Sequence, residues 1–129
     1  MRVMIDTNVI ISALMFPASK PADVLVCVAE EHELILCDYI VSEVEEKIAQ
    51  KRPDLVSAVK VLFESMLYRC VPSTTFSGHV ISDPKDQPIL NASLKGDVDV
   101  MVTGDKHFKK LNLERPQVMS PAEFLDTFR

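Results

Sequence analysis

Cysteine is scarce and scattered. Cys27, Cys37 and Cys70 form no C-x-x-C pair, and each lies in an apolar stretch, which favours core packing over a redox or metal role. An odd count with no disulfide framework suits a reducing compartment. Positive charge is in deficit: 14 Lys and Arg against 19 acids leave a net charge of −5. The bulk electrostatics therefore do not describe a nucleic-acid binder, and any such role must rest on a local patch or on bound cations. No apolar run approaches the ~20 residues of a membrane helix. Asp6 and Asn8 interrupt the opening apolar run, so no signal peptide is read there. These absences predict a soluble, cytoplasmic protein. Also missing are internal repeats, low-complexity tracts, a P-loop, a G-x-G-x-x-G fingerprint and a G-x-S-x-G setting for Ser12 or Ser42.

What the chain does contain is enough apolar sequence for one core. Its 129 residues are 47% hydrophobic, which fits a single domain over residues 1–129. Short apolar runs at 2–5, 33–37, 70–71, 98–102 and 118–119 read as strands. Helical spacing falls between them, at 7–15, from the Ser19 cap through Ala29, at 39–50, from Pro53 to about Tyr68, at 86–95 and at 106–111. Ser120-Pro121-Ala122-Glu123 is a capping box opening a terminal helix. Pro72 to Lys85 reads as the longest loop, and Gly96 as a helix stop. Strands alternating with helices predict an α/β fold, a three-layer α/β/α sandwich on a mainly parallel sheet.

Two strands end on acids. Val100-Met101-Val102 runs into Thr103-Gly104-Asp105, and Val3-Met4-Ile5 runs into Asp6. Glu43 lies early in the helix after the second strand, and Asp86 opens the helix after the long loop, with Asp83 close by. All four junctions fall on the edge of an open α/β sheet where ligands bind. Two like charges about 4 Å apart cost about 4 kcal/mol at an effective dielectric of 20, so converging acids need protons or a divalent cation. Oxygen ligands select Mg²⁺ or Mn²⁺. Such a cation promotes phosphodiester hydrolysis, which makes a metal-dependent nuclease the sharpest reading. Taken singly the same acids have ordinary roles: Asp6, Asp86 and Asp105 as helix caps and Glu43 as an i,i+4 partner of Lys47. Asp38 reads as a cap, and Asp97 and Asp99 as solvent-facing. Asn8 and Thr103 are candidates for orienting the ligands. Lys106, His107 and Lys109, just past Asp105, are candidates for substrate contact.

Taken together, the opening Val3-Met4-Ile5-Asp6-Thr7-Asn8, then Val41-Ser42-Glu43-Val44, Asp83-Pro84-Lys85-Asp86-Gln87-Pro88 and Val102-Thr103-Gly104-Asp105 resemble PIN-domain proteins in order and spacing. The particular likeness is to the toxin branch of prokaryotic toxin–antitoxin systems, and it covers essentially the whole chain. That resemblance implies a parallel α/β/α fold and Mg²⁺- or Mn²⁺-dependent cleavage of RNA. It places the metal-binding, catalytic quartet on Asp6, Glu43, Asp86 and Asp105, with Asp83 as a further acid. It also implies an antitoxin partner and a homodimer. Lys85 and Gln87 stand where this branch often has acids or Asn. Two other readings compete. An acidic-pocket phosphoacceptor domain lacks its adjacent acids after the first strand and its Lys after the last. A catalytically idle PIN-like module that binds RNA or protein would not need all four acids.

Overall fold

The computed structural model describes residues 1–73 and 78–129, so part of the long loop lies outside the described residues. Strands β1 (Arg2–Ile5), β2 (Glu33–Cys37), β3 (Arg69–Val71), β4 (Val100–Val102) and β5 (Gln117–Met119) form one sheet in the order β3-β2-β1-β4-β5. Every pairing is parallel. Parallel neighbours need crossover connections, and the helices supply them. α1 (Thr7–Met15) and α2 (Lys20–Glu31) lead from β1 to β2, and α3 (Asp38–Lys51) and α4 (Val56–Ser65) from β2 to β3. α5 (Gln87–Lys95) leads into β4, α6 (Lys106–Lys110) joins β4 to β5, and α7 (Pro121–Phe128) follows.

Consecutive residues Val3, Met4 and Ile5 are fully buried, as are Ile35, Leu36 and Cys37. Neighbouring side chains on a strand point to opposite faces, so unbroken burial means that both faces of the sheet centre are covered. This is the expected α/β/α arrangement. The chain steps outward from β1 through β2 to β3, then crosses to the other side of β1 for β4 and β5. That reversal makes the carboxyl ends of β1 and β4 a topological switch point, where a crevice opens between diverging connections. No single helix among the described residues is long and apolar enough to cross a membrane.

Local signals account for most boundaries. The Ser19 hydroxyl accepts from the Ala22 amide at the start of α2, and Ser120 and Glu123 cap α7 reciprocally. The helix expected from Pro53 to Tyr68 is shorter: a 3-10 turn at Pro53–Leu55 precedes α4, which stops at Ser65. There the Ser65 hydroxyl donates to the Val61 carbonyl at 2.7 Å, a local bond that competes with helix propagation. Asp38 does not cap α3. Cys37 holds the cap position, and the Asp38 carboxylate accepts from the Ser73 amide at 3.0 Å, tying down the chain after β3. Gly96 ends α5 without a left-handed turn. A Cβ there would lie 3.0 Å from the Ala92 carbonyl and from Val71, and the left-handed residue is Asp97, at φ 52°. Asp99 is not simply solvent-facing, because its carboxylate accepts from the Arg2 amide at 2.8 Å and pairs with Arg115 at 2.9 Å. Of the thiols only Cys37 is buried; Cys27 is half-buried and Cys70 exposed.

Candidate metal centre

Asp6 follows β1 directly and is buried, although it carries a carboxylate. One oxygen accepts from the Thr7 amide at 2.7 Å, as a helix cap does. The other accepts from the Thr103 hydroxyl at 2.7 Å, across the β1–β4 switch point. The Thr103 oxygen in turn accepts from the Asp105 amide at 3.0 Å, so one side chain links the two strand-end acids. Asp105 accepts from the His107 amide at 2.8 Å and caps α6. Asp86 lies in a 3-10 turn at Pro84–Asp86, buried, with no capping bond of its own. Its Oδ2 is buried and accepts no hydrogen bond among the described residues.

The charges act on one another. Burial, first of all, pushes Asp6 above its ordinary value; the Thr103 and Thr7 hydrogen bonds pull back, and Asp105 and Glu43 push further up. Asp86 is pushed up to about 8, by burial and then by its hydrogen bond to Asp105, with Asp6 and Asp83 adding repulsion. Asp105 ends below its ordinary value: burial raises it, but the bond from Asp86, the His107 amide and the His107 ring outweigh that. Without another cation, this cluster therefore holds a proton on Asp86.

A family model for the PIN domain matches residues 2–107, which include all these acids. The chain belongs to the PIN-domain family. It is 27% identical to Uncharacterized protein MJ1680 of Methanocaldococcus jannaschii over 98% of this chain and 91% of that protein. Among solved structures it is similar to VapBC2 from Rickettsia felis bound to a DNA fragment from their promoter, with TM-score 0.72, 15% identity, and 93% of this chain and 98% of that one covered. It is also similar to VapBC-1 from nontypeable Haemophilus influenzae, with TM-score 0.66, 18% identity, and 95% and 99% covered. At those identities the solved structures establish the shared fold.

Within this PIN domain the structure brings Asp6, Glu43, Asp86 and Asp105 into one electrostatic network, and Asp83 with them. Ligand atoms of Asp83, Asp86 and His107 lie within 4.8 Å of one another. The His107 ring nitrogen Nδ1 is 3.1 Å from Asp105 and 3.5 Å from Asp86, so the Nδ1 edge of this half-exposed ring faces the acids. Glu43 pairs with Lys47 at 3.7 Å, its ordinary helical partner. The Tyr39 hydroxyl beside it has its pKa raised by burial and then by Glu43, Asp86 and Asp83. Sequence reasoning missed Tyr39; its signal was the i,i+4 spacing to Glu43. Asn8, expected to orient a ligand, is exposed on α1 and bonds none of the acids. Lys109 pairs with Glu123, away from the crevice, whereas Lys85 and Lys106 are exposed and pair with no acid among the described residues.

Gln87 explains one departure from the pattern of acids. Its amide nitrogen donates to the His79 carbonyl at 2.8 Å and to Asn91 at 2.9 Å, and its oxygen accepts from the Ile81 amide at 3.1 Å. A carboxylate there would lose both donations, so Gln87 serves as a clamp on the loop beside Asp86. A cavity of about 600 Å³ lies away from these residues, between α3 and α4, with Val41, Val59, Phe63 and Tyr68 in its wall. It gathers apolar side chains rather than converging acids, so charge and not volume locates the candidate centre.

A divalent cation fits the donor set. Asp86 Oδ2 accepts no hydrogen bond among the described residues, Asp6 is held with its oxygens oriented, and the ligands are carboxylates with one imidazole at hand. Hard cations take such ligands, and the positive charge would replace the proton that the cluster otherwise needs.

Proposed function

We propose that this PIN domain is a Mg²⁺- or Mn²⁺-dependent ribonuclease that hydrolyses RNA phosphodiester bonds, and the toxin of a toxin–antitoxin pair. The observation that carries the reading is Asp86 Oδ2, a buried carboxylate oxygen that accepts no hydrogen bond among the described residues, with the His107 ring nitrogen 3.5 Å away and three other acids interacting beside it. Asp6, Glu43, Asp86 and Asp105 would hold the cation, with Asp83 and His107, whose ligand atoms lie within 4.8 Å of that of Asp86, as further ligands. When bound, it supplies the charge that activates water and offsets the negative charge developing on the phosphate.

The chain's own residues fix this arrangement. Thr103 and the Thr7 amide leave Asp6 little rotational freedom, and the His107 amide does the same for Asp105. Pre-set ligands of this kind lower the cost of binding and position the scissile phosphate for in-line attack. With net charge −5 the domain needs local cations to approach RNA, and Lys85 and Lys106, exposed and in no ion pair among the described residues, supply them beside the acids. The antitoxin reading rests on the sequence likeness to the toxin branch and on fold neighbours solved as VapBC assemblies.

The test is cleavage of single-stranded RNA with Mn²⁺, Mg²⁺ or chelator, using the intact protein, Asp6→Asn and Asp105→Asn. We expect metal-dependent cleavage that falls by at least about a hundredfold in either variant, the loss typical of removing one group that stabilises charge in a transition state. Undiminished cleavage by both variants would reject the site. Metal binding without cleavage of any RNA would instead favour an idle, RNA- or protein-binding PIN module.

A further inference from the structure

The opposite edge of the sheet carries a second group of metal-ligating side chains, chemically unlike the acids. Cys27 and Glu31 are one turn apart on α2, so both lie on one face of its last turn. His32 is the C-cap, with extended backbone that folds its ring back beside that face. A ligand atom from each of the three lies within 4.8 Å of the other two. Because His32 immediately precedes β2, the group sits at the amino ends of the strands, a strand's length from Asp6, Asp86 and Asp105.

The imidazole is held from outside the group. Phe124 and Phe128 of α7 pack edge-on against it, with ring centroids at 5.9 and 6.3 Å. Nδ1 is 3.5 Å from the Met1 nitrogen, while Nε2 is buried and makes no hydrogen bond among the described residues. A buried ring nitrogen left without a partner is costly, and its lone pair or proton needs an explanation. Cys27 and Glu31, by contrast, open onto a shallow cleft of about 230 Å³, also lined by Asp23 and Arg129. Arg129 is occupied there by Asp23, at 3.3 Å.

We propose that Cys27, Glu31 and His32 form a second metal site, selective for Zn²⁺ and similar borderline-soft cations. Thiolate, imidazole and carboxylate are the ligand types zinc takes, and three protein ligands leave a position for water. Mg²⁺, which demands oxygen ligands, is rejected by the thiolate. The exposed carbonyls at the C-terminal end of α2 favour positive charge there and offset the repulsion of the Met1 ammonium, 3.5 Å from Nδ1. The cation's consequence is structural: it ties the last turn of α2 to the chain entering β2.

The test uses protein carrying Asp86→Asn and His107→Gln, which removes two of the three grouped ligands of the acid centre, kept reduced and titrated with Co²⁺ and then Zn²⁺. We expect one equivalent of Co²⁺ to give a thiolate-to-cobalt charge-transfer band, displaced by Zn²⁺ and unaffected by excess Mg²⁺. Cys27→Ser should abolish the band. His32→Gln should weaken Zn²⁺ binding by more than the roughly 10–100-fold that loss of even an outer partner costs a metal site. Glu31→Gln, at an exposed position, leaves the fold intact and should weaken binding with unchanged circular dichroism. Absence of the band, or its persistence in Cys27→Ser through Cys37 or Cys70, would overturn the proposal. Binding unchanged in Glu31→Gln and His32→Gln would overturn it as well. Failure of RNA cleavage leaves this result unaffected, because the readout does not pass through the acid centre.

Discussion

Thr103 serves two acids at once, donating to Asp6 and accepting from the Asp105 amide. Thr103→Val keeps the shape and removes both bonds. Leaving a buried acceptor unsatisfied costs about 1–3 kcal/mol, so the variant should still fold, with a modestly lower denaturation midpoint. Mn²⁺ affinity should fall roughly 10–100-fold, as for other ligand-orienting partners, and Thr103→Ser should recover most of it. Calorimetric titration checks this; tight binding by the valine variant would mean that Asp6 needs no such hold. His107 adds a nitrogen donor beside the carboxylates, and imidazole favours Mn²⁺ over Mg²⁺. His107→Gln should therefore narrow the ratio of Mn²⁺ to Mg²⁺ affinity, and an unchanged ratio places the ring outside the coordination. Several of these residues were readable in one dimension, because an apolar run that stops on an acid marks a strand end. Asn8 was not: Thr7 turns inward and its helical neighbour outward, so residues adjacent in sequence do not share a face. His107 was legible only as a candidate for substrate contact, because nothing in its spacing tells that a five-residue helix brings it beside Asp86.

At the scale of elements, the sequence was most legible where a boundary has its own chemistry. The capping box of α7 is present, and Glu123 is further engaged by Lys109, which draws its carboxyl down to about 2. The folded value lies below the unfolded value of about 4.3. This stabilisation is therefore complete above pH ~4.3 and disappears as pH falls through the folded value. Glu123→Gln should show a constant stability deficit at neutral pH that closes in strong acid, followed by denaturant unfolding across pH. A deficit that persists in strong acid would assign the effect to packing instead. Ser120→Ala removes the other half of the box and should cost about 1 kcal/mol at any pH. The end of α4 was less legible. Its apolar spacing continues to Met66 and beyond, but the outer positions Leu55, Leu62, Phe63 and Met66 only border the core, and Val59 alone is fully buried. Periodicity records which face is apolar; it does not record where tertiary burial stops rewarding another turn.

For the whole molecule, the sheet concentrates acids at one edge, and that concentration opposes folding unless something neutralises it. Asp6 and Asp86 both have raised folded-state values, Asp86 reaching about 8. Their protonation favours the folded state fully below the unfolded carboxylate value of about 3.9, and this contribution is lost as pH rises through the folded value. Metal-free protein should therefore lose stability between pH 5 and pH 8 relative to Asp86→Asn, which has no such proton to lose. Mn²⁺ should act in the opposite sense. At a hundred times its dissociation constant, a ligand bound only by the folded state adds about 2.7 kcal/mol, so the melting temperature of the intact protein should rise by several degrees at pH 8. The rise should shrink towards pH 5, where protons compete for the same oxygens, and it should be largely absent in Asp86→Asn. Thermal unfolding of both proteins at the two pH values, with chelator and with Mn²⁺, separates the alternatives. If the metal-free proteins run parallel from pH 5 to 8, Asp86 is no proton reservoir; if Mn²⁺ stabilises both equally, the cation binds elsewhere. The four-way pattern arises only if proton and cation exchange at one buried carboxylate, the condition that the crossing of the chain from β3 to β4 creates.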